Sequence, residues 1–274
     1  MDNSIFKSVF NNLHLGIAIL DNNKIILHAN KIFIECFEVN TEILMKNFNI
    51  LHTSFLKNPL SSFQNKTKLI TSKSKTLSIM IKPFESNLLL VEVEDISEQE
   101  KENKDVYHRA NYDQLTSLPN RELFNDRCKQ ALSSANRHQE NLAIFFIDLD
   151  NFKFINDTYG HDVGDSILLE TSKRLIDSVR ESDTVSRWAG DEFTILLPKI
   201  GKKDDINQIL SRLIENFTLP QKINELSIPV SLSIGISLAP DMSTQFTELM
   251  KLADKAMYEA KESKGISYKY YSAN

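Results

Sequence analysis

The sequence predicts an α+β fold divided into two domains. Three observations carry that expectation. The chain has 274 residues, 41% hydrophobic and 25% charged, which suits a globular protein of about two domains. Strand-like and helix-like runs follow one another without strict βα alternation. One nearly all-polar stretch, Ser97–Asn111, interrupts them.

In chain order, "GIAILD" (Gly16–Asp21) and "KIILHAN" (Lys24–Asn30) read as two strands around an Asp-Asn-Asn turn. Asn30 is a good N-cap, so "KIFIECFEV" reads as a short helix. "TLSIMIKPF" (Thr76–Phe84) and "NLLLVEVEDI" (Asn87–Ile96) read as two further strands, completing a first domain over residues 1–99. "SEQEKENKDVYHRAN" has no glycine or proline and reads as an exposed helical connector, ending at residue 111, that pairs with a copy of itself. The second domain, 112–274, offers the strand "LAIFFIDLD" (Leu142–Asp150), a helix through Gly164–Arg180 and a hairpin around Gly190. An amphipathic helix near Asp204–Phe217, a strand over Ile228–Ser237 and a last helix from Phe246 to Lys264 complete it.

Composition excludes several classes. A net charge of -5 argues against a general nucleic-acid binder, which carries a basic face. No apolar stretch approaches the ~18 residues of a membrane span, and the start lacks a basic region followed by an apolar one. Cys36 and Cys128 are far apart and read as reduced thiols. The expectation is a cytoplasmic protein. The chain ends shortly after its last helix, so no second catalytic domain is expected.

The chemistry concentrates at acidic residues. Asp148 and Asp150 end an apolar strand on one face, because side chains alternate with period 2. The hairpin "RWAGDEF" brings Asp191 and Glu192. Bare burial of such carboxylates is costly, and a hard divalent cation such as Mg²⁺ resolves the conflict. Clusters of this kind serve two-metal phosphoryl transfer; the plain alternative is two exposed acids on a loop tip. "NFKFINDTYGHDVGD" follows at Asn151. Lys153 can neutralise phosphate, and Asn156 and Asp165 can face a base. A carboxylate there accepts from the N1–H and N2 amino groups of guanine and rejects adenine. His161 reads as a structural residue in a Gly160–Gly164 turn.

Five blocks occur in order: "DQLTSLPNR", "FFIDLDNFKFINDTYGHDVGD", "RWAGDEF", "VSLSIGIS" and "ADKAMYEAK". Together they resemble the GGDEF diguanylate cyclase family over about the last 160 residues. The resemblance implies a fold related to nucleotidyl-cyclase and polymerase palm domains. It implies condensation of two GTP into cyclic di-GMP, with release of pyrophosphate, at a dimer interface. By the same resemblance Asp148, Glu192 and the carbonyl of Leu149 hold Mg²⁺, or Mn²⁺ in its place. Asp191 and Glu192 are the catalytic acids, with Asp191 either activating the 3′-hydroxyl or joining the metal set. Asn156 and Asp165 take guanine. Lys153, Lys261 and the amides of Asn151 and Phe152 take phosphate, with Ala189 and Gly190 against the nucleotide. Arg180 and Asp183 match a product-inhibition site; a surface ion pair is the bland alternative.

Two departures from the family pattern stand out. Ala189 replaces the first glycine of the signature, at a cost of about 1 kcal/mol if that position needs φ > 0. Lys264-Gly265 replaces a Gly-Arg, so Lys264 is left to substitute for an arginine. These departures support an alternative, a weak or inactive protein that senses cyclic di-GMP or GTP. Residues 16–96 resemble a PAS sensor domain, through "LGIAILDNNKIILHANKIF" and "VEDISEQEK". His28 and His52 are structural in this reading rather than haem ligands, and Cys36 is a buried thiol.

Overall fold

The computed structural model describes residues 3–39, 42, 46, 48, 67–70, 75–85, 87–201, 203–263 and 265–272. The chain divides into two compact units, Met1–Val106 and Tyr107–Asn274. His52 and Lys264 lie outside the described residues. No helix among them is long and apolar enough to cross a membrane.

The first unit holds α1 (Asn3–Asn11), β1 (Gly16–Asp21), β2 (Ile26–Ala29), α2 (Lys31–Phe37), β3 (Thr67–Ile70), β4 (Thr76–Phe84) and β5 (Leu88–Asp95). Its strands form one antiparallel sheet in the order β2-β1-β5-β4-β3. Asp21 makes the first turn by accepting from the amides of Asn23 and Ile25 at 2.9 and 2.8 Å. Asn30, fully buried, caps α2 by accepting from the Phe33 amide at 2.9 Å. Phe33, Cys36 and Phe37 of α2 pack on Leu20, Val91 and Val93 of the sheet. His28 is exposed. At the end of β5, Asp95 accepts from both the amide and hydroxyl of Ser97, which starts α3 (Ser97–Asn111). α3 buries none of its residues.

The second unit contains α4 (Arg121–His138), β6 (Asn141–Leu149), α5 (Phe152–Tyr159), α6 (His161–Ser178), β7 (Thr184–Ala189) and β8 (Glu192–Ile200). It continues with α7 (Lys203–Thr218), β9 (Gln221–Ile223), β10 (Leu226–Ile228), β11 (Leu232–Ala239), α8 (Phe246–Ala260) and β12 (Ser267–Tyr270). Five strands form a sheet in the order β12-β11-β6-β8-β7, antiparallel except for β12 on β11. Central β6 is buried on both faces, hence its unbroken apolar run. Phe145, Ile147 and Leu149 face the cluster built with α6 and α7. Ile144 and Phe146 face the cluster built with α4 and α8.

Several expected boundaries move. α6 starts at His161, so the turn is Gly160 alone (φ +87) and Gly164 is buried inside the helix. His161 is therefore an exposed first helical residue, not part of a longer turn. The strand expected over Ile228–Ser237 divides into β10 and β11, with Pro229 between them lacking an amide donor. The last helix stops at Ala260.

Candidate functional site

The geometry starts from strand register. Glu192 on β8 lies opposite Asp148 on β6, and Ser233 on β11 lies opposite Asp148 on the other side. The three side chains thus form a row on the α8 face, just beyond Phe146. Asp148 is 8% exposed. Burial pushes its carboxyl above the usual range despite the ammonium of Lys261, and the charges of Asp191 and Asp150 push the same way. Glu192 is raised too, by burial first and then by Asp148, Asp191 and Asp254. Asp150 accepts from the Ser233 hydroxyl at 2.7 Å. Asp148, Asp150, Asn151, Ser231, Lys261 and Gly265 line a cavity of about 580 Å³.

Lys261 reaches this row because α8 presses on the sheet. A Cβ on Gly235 would lie 1.9 Å from the Ala253 carbonyl oxygen, so only glycine allows the approach. One helix face then presents Asp254 and, seven residues on, Lys261. Lys261 Nζ meets Asp148 Oδ1 at 3.0 Å. Asp254 escaped the sequence reading, although the "ADKAMYEAK" block contains it and the helical spacing to Lys261 signals it.

Ala189 and Glu192 close the β7–β8 hairpin around Gly190 and Asp191. Gly190 has φ +53, where glycine is at home. Ala189 is exposed and is not among the residues of positive φ, so the strain raised by its replacement of glycine does not arise. Arg187 Nε donates to the Gly190 carbonyl at 2.9 Å. Its Nη1 donates to both Asp113 oxygens at 3.0 and 3.2 Å. Asp113 also accepts from the amide and hydroxyl of Thr116 at 2.8 and 2.7 Å. These bonds hold its carboxyl below the usual range against the opposing effect of burial. Trp188 meets Phe124 and Phe146 edge-on, with Arg121 4.5 Å above its ring. Asp113 and Arg187 thus position the hairpin. Neither was singled out from sequence, because an ion pair between residues 74 apart leaves no periodic signal.

Asn151 starts α5 with φ +58 and is exposed at the cavity edge. Leu149 is buried, its amide donating to the Asp191 carbonyl at 3.3 Å. Phe152 packs partly into the core, whereas Lys153 is exposed on the first turn of α5. Asn156 lies against α6: its Oδ1 occupies the space a side chain at position 164 would need, and it is buried without a partner. Asp165, next to Gly164, is exposed. Arg180 and Asp183 sit apart from the acidic row, on a second cavity of about 610 Å³. Asp183 accepts from the Arg180 amide at 2.9 Å, while the Arg180 guanidinium reaches Asp205 at 3.5 Å.

A divalent cation fits this donor set. Asp148 and Glu192 are hard oxygen donors on adjacent strands, both raised by burial first and then by neighbouring carboxylate charge, which a dication would relieve. Among the described residues, no group of three or more His, Cys, Asp or Glu side chains is gathered for a metal. The remaining ligands would therefore be backbone, water or substrate oxygens, the usual preference of Mg²⁺.

Residues 110–266 match the family described as "Diguanylate cyclase, GGDEF domain". The signaling protein YkoW of Bacillus subtilis is 37% identical over 223 residues, covering 79% of this chain and 28% of its own length. The diguanylate cyclase TpbB of Pseudomonas aeruginosa is 42% identical over 177 residues, covering 64% of this chain and 41% of its own. The chain thus spans less than half the length of these curated relatives. The crystal structure of the TpbB GGDEF domain superposes with a TM-score of 0.56 at 40% identity, over 58% of this chain and 99% of that one. With its acid row, its Gly190 hairpin and a match over more than half its length, the chain belongs to the GGDEF diguanylate cyclase family.

Proposed function

We propose that this protein is a diguanylate cyclase that condenses two GTP into cyclic di-GMP and releases pyrophosphate. The observation that carries the reading is the opposed pair Asp148 and Glu192 beside Lys261, in an open cavity. Phosphoryl transfer needs positioning and charge stabilisation more than a covalent nucleophile. Bound Mg²⁺ or Mn²⁺ would supply charge to the triphosphate and acidity to its ligands. Asp148, Glu192 and the Leu149 carbonyl would hold it. Lys261, paired with Asp148 at 3.0 Å, would with the metal held there be free to meet phosphate together with Lys153 and the amides of Asn151 and Phe152. Asn156 and Asp165 take guanine. Asp191, at the hairpin turn, acts on the attacking 3′-hydroxyl. The ordinary φ of Ala189 removes one ground for a silent sensor.

Each domain takes one GTP, so two chains must face each other. α3, which buries none of its residues and leaves Val106 and Tyr107 58% and 56% exposed, supports self-pairing. The first unit acts as a PAS-like sensor over residues 1–99 that controls this pairing. An antiparallel sheet with α2 on one face, and an alignment to YkoW longer than the GGDEF region, support it. Arg180 and Asp183 bind the product and restrain turnover. The test is incubation of nucleotide-free protein with GTP and Mg²⁺, followed by chromatography. Cyclic di-GMP is expected, in yield that rises more steeply than protein concentration; none at any concentration rejects the activity.

A further inference from the structure

Asp254 stands beside the acid row without a task in the reaction described above. The tight approach of Ala253 to Gly235 fixes α8 over the sheet. Helical spacing then puts Asp254, Tyr258 and Lys261 on one face. From that face Lys261 meets Asp148, and the charge of Asp254 reaches Glu192. The face is open to an approaching molecule: Asp254 is exposed and Tyr258 is 71% exposed. Among the described residues, the Asp254 carboxylate has no donor or cation at bonding distance.

What this carboxylate can meet is narrow. It is not gathered with Asp148 and Glu192 into a metal set among the described residues. It is not among the described residues that line the cavity beside Lys261, where the chain's own phosphates are read to lie. α5 and α6, which carry Asn156 and Asp165, pack on the face of the sheet opposite α8. The nucleotide that the chain itself holds, phosphates in the cavity and guanine at α5 and α6, thus leads away from Asp254. The second nucleotide arrives from outside, because its 3′-hydroxyl must come to the phosphate held at Asp148 and Glu192. A carboxylate repels phosphate and accepts from O–H or N–H donors. The incoming guanine is engaged by its own chain and the 3′-hydroxyl reacts, which leaves the 2′-hydroxyl.

We propose that Asp254 accepts a hydrogen bond from the ribose 2′-hydroxyl of the GTP held by a second copy of this chain, placing the neighbouring 3′-hydroxyl for attack and selecting ribonucleotides. The assignment rests on the two-GTP reading above. An acidic side chain takes the ribose 2′-hydroxyl in the same way in dinucleotide-binding folds. A group built to bond a substrate hydroxyl discriminates against the analogue that lacks it.

The test compares GTP with 2′-deoxy-GTP, each with Mg²⁺, on the full chain freed of nucleotide. Wild type is expected to use GTP with a kcat/KM about tenfold or more above that of 2′-deoxy-GTP. Asp254→Ala is expected to lose about tenfold on GTP and to stay within about twofold of wild type on 2′-deoxy-GTP, so that the preference collapses. Asp254→Asn, which keeps an accepting oxygen, is expected to fall between. Binding of 3′-deoxy-GTP, which cannot attack, is expected to be unchanged in dilute Asp254→Ala, because the contact is made to the other chain's nucleotide. An Asp254→Ala protein that keeps the wild-type preference overturns the role of Asp254 and leaves the two-GTP reaction standing. Binding of 3′-deoxy-GTP weakened as much as turnover places the contact on the chain's own nucleotide and overturns the assignment as well. No cyclic di-GMP from wild type rejects the reaction and Asp254 with it. If Asp254→Ala is inactive with both nucleotides, Asp254→Asn decides: a reduced preference upholds the assignment, and the wild-type preference overturns it.

Discussion

Asp113 and Asp148 each meet one cation at the same distance, 3.0 Å, and yet end in opposite electrostatic states. Asp113 has Arg187 and two donors from Thr116, and its carboxyl is held low. Asp148 has Lys261, but burial and the charges of Asp191 and Asp150 outweigh it, and its carboxyl is held high. The first carboxylate is completed by its own fold. The second is left short of positive charge beside a cavity, as a group built to meet a ligand would be. The two sit at opposite ends of one device, since Arg187 also holds the hairpin turn from which Asp191 and Glu192 project.

The largest effect should come from the unfinished side. Asp148→Asn and Glu192→Gln are each expected to lower GTP turnover by on the order of a hundredfold or more. Metal-free stability should hold or rise, because each change removes repulsion. Thermal melting without metal checks this; a lower melting temperature would show these acids to be structural and erase the contrast with Asp113.

Asp113→Ala should behave the other way. It leaves the Arg187 guanidinium, 14% exposed, without its carboxylate. A loss of about 1–3 kcal/mol of stability follows, with turnover reduced by about tenfold through a loosened hairpin. Trp188 is the chain's single tryptophan and lies in this hairpin, so its fluorescence reports the transition directly. Unchanged stability would make the pair decorative.

The same contrast explains what was legible from sequence. The strand "LAIFFIDLD" and the acids after it stand out because period 2 and an abrupt polar ending are local signals. The N-cap at Asn30 and the hairpin at Gly190 are local too. The 18-residue α4 went unread because much of its surface is exposed and polar and its buried residues are few: Leu123, Phe124, Cys128 and Ala135. β3, four residues long, is specified by its pairing with β4 rather than by its own composition. The Asp113–Arg187–Gly190 link and the approach of α8 to Gly235 depend on tertiary distances that no window along the chain contains.

Acidity and metal sharpen the comparison with smaller effects. Raised carboxyls at Asp148 and Glu192 stabilise the fold fully below the ordinary carboxylate range, and that contribution is lost as pH rises through their elevated values. The depressed Asp113 contributes above the ordinary range and loses its contribution as pH falls through its lowered value. Metal-free protein should therefore gain stability on mild acidification from neutral pH. Asp148→Asn combined with Glu192→Gln should flatten that gain, and Asp113→Ala should leave it. Mg²⁺ at neutral pH should raise the melting temperature of wild type and not of the double variant. A Mg²⁺ response that survives in the double variant would place the cation elsewhere.

The smallest effect is expected at the residue where the sequence departs from its family. Ala189 is exposed, has no positive φ and ends β7, whereas Gly190 carries the turn at φ +53. Ala189→Gly adds freedom to the unfolded chain without relieving strain, so it should lower stability by only about 0.5–1 kcal/mol and leave turnover within about twofold. Gly190→Ala forces a side chain into the left-handed region at about 1–2 kcal/mol and shifts the carbonyl that Arg187 grips. Turnover should then fall well below that of Ala189→Gly. A large gain of activity in Ala189→Gly would instead mean that the methyl group obstructs the nucleotide in the cavity, a steric cost that the backbone at this position does not reveal.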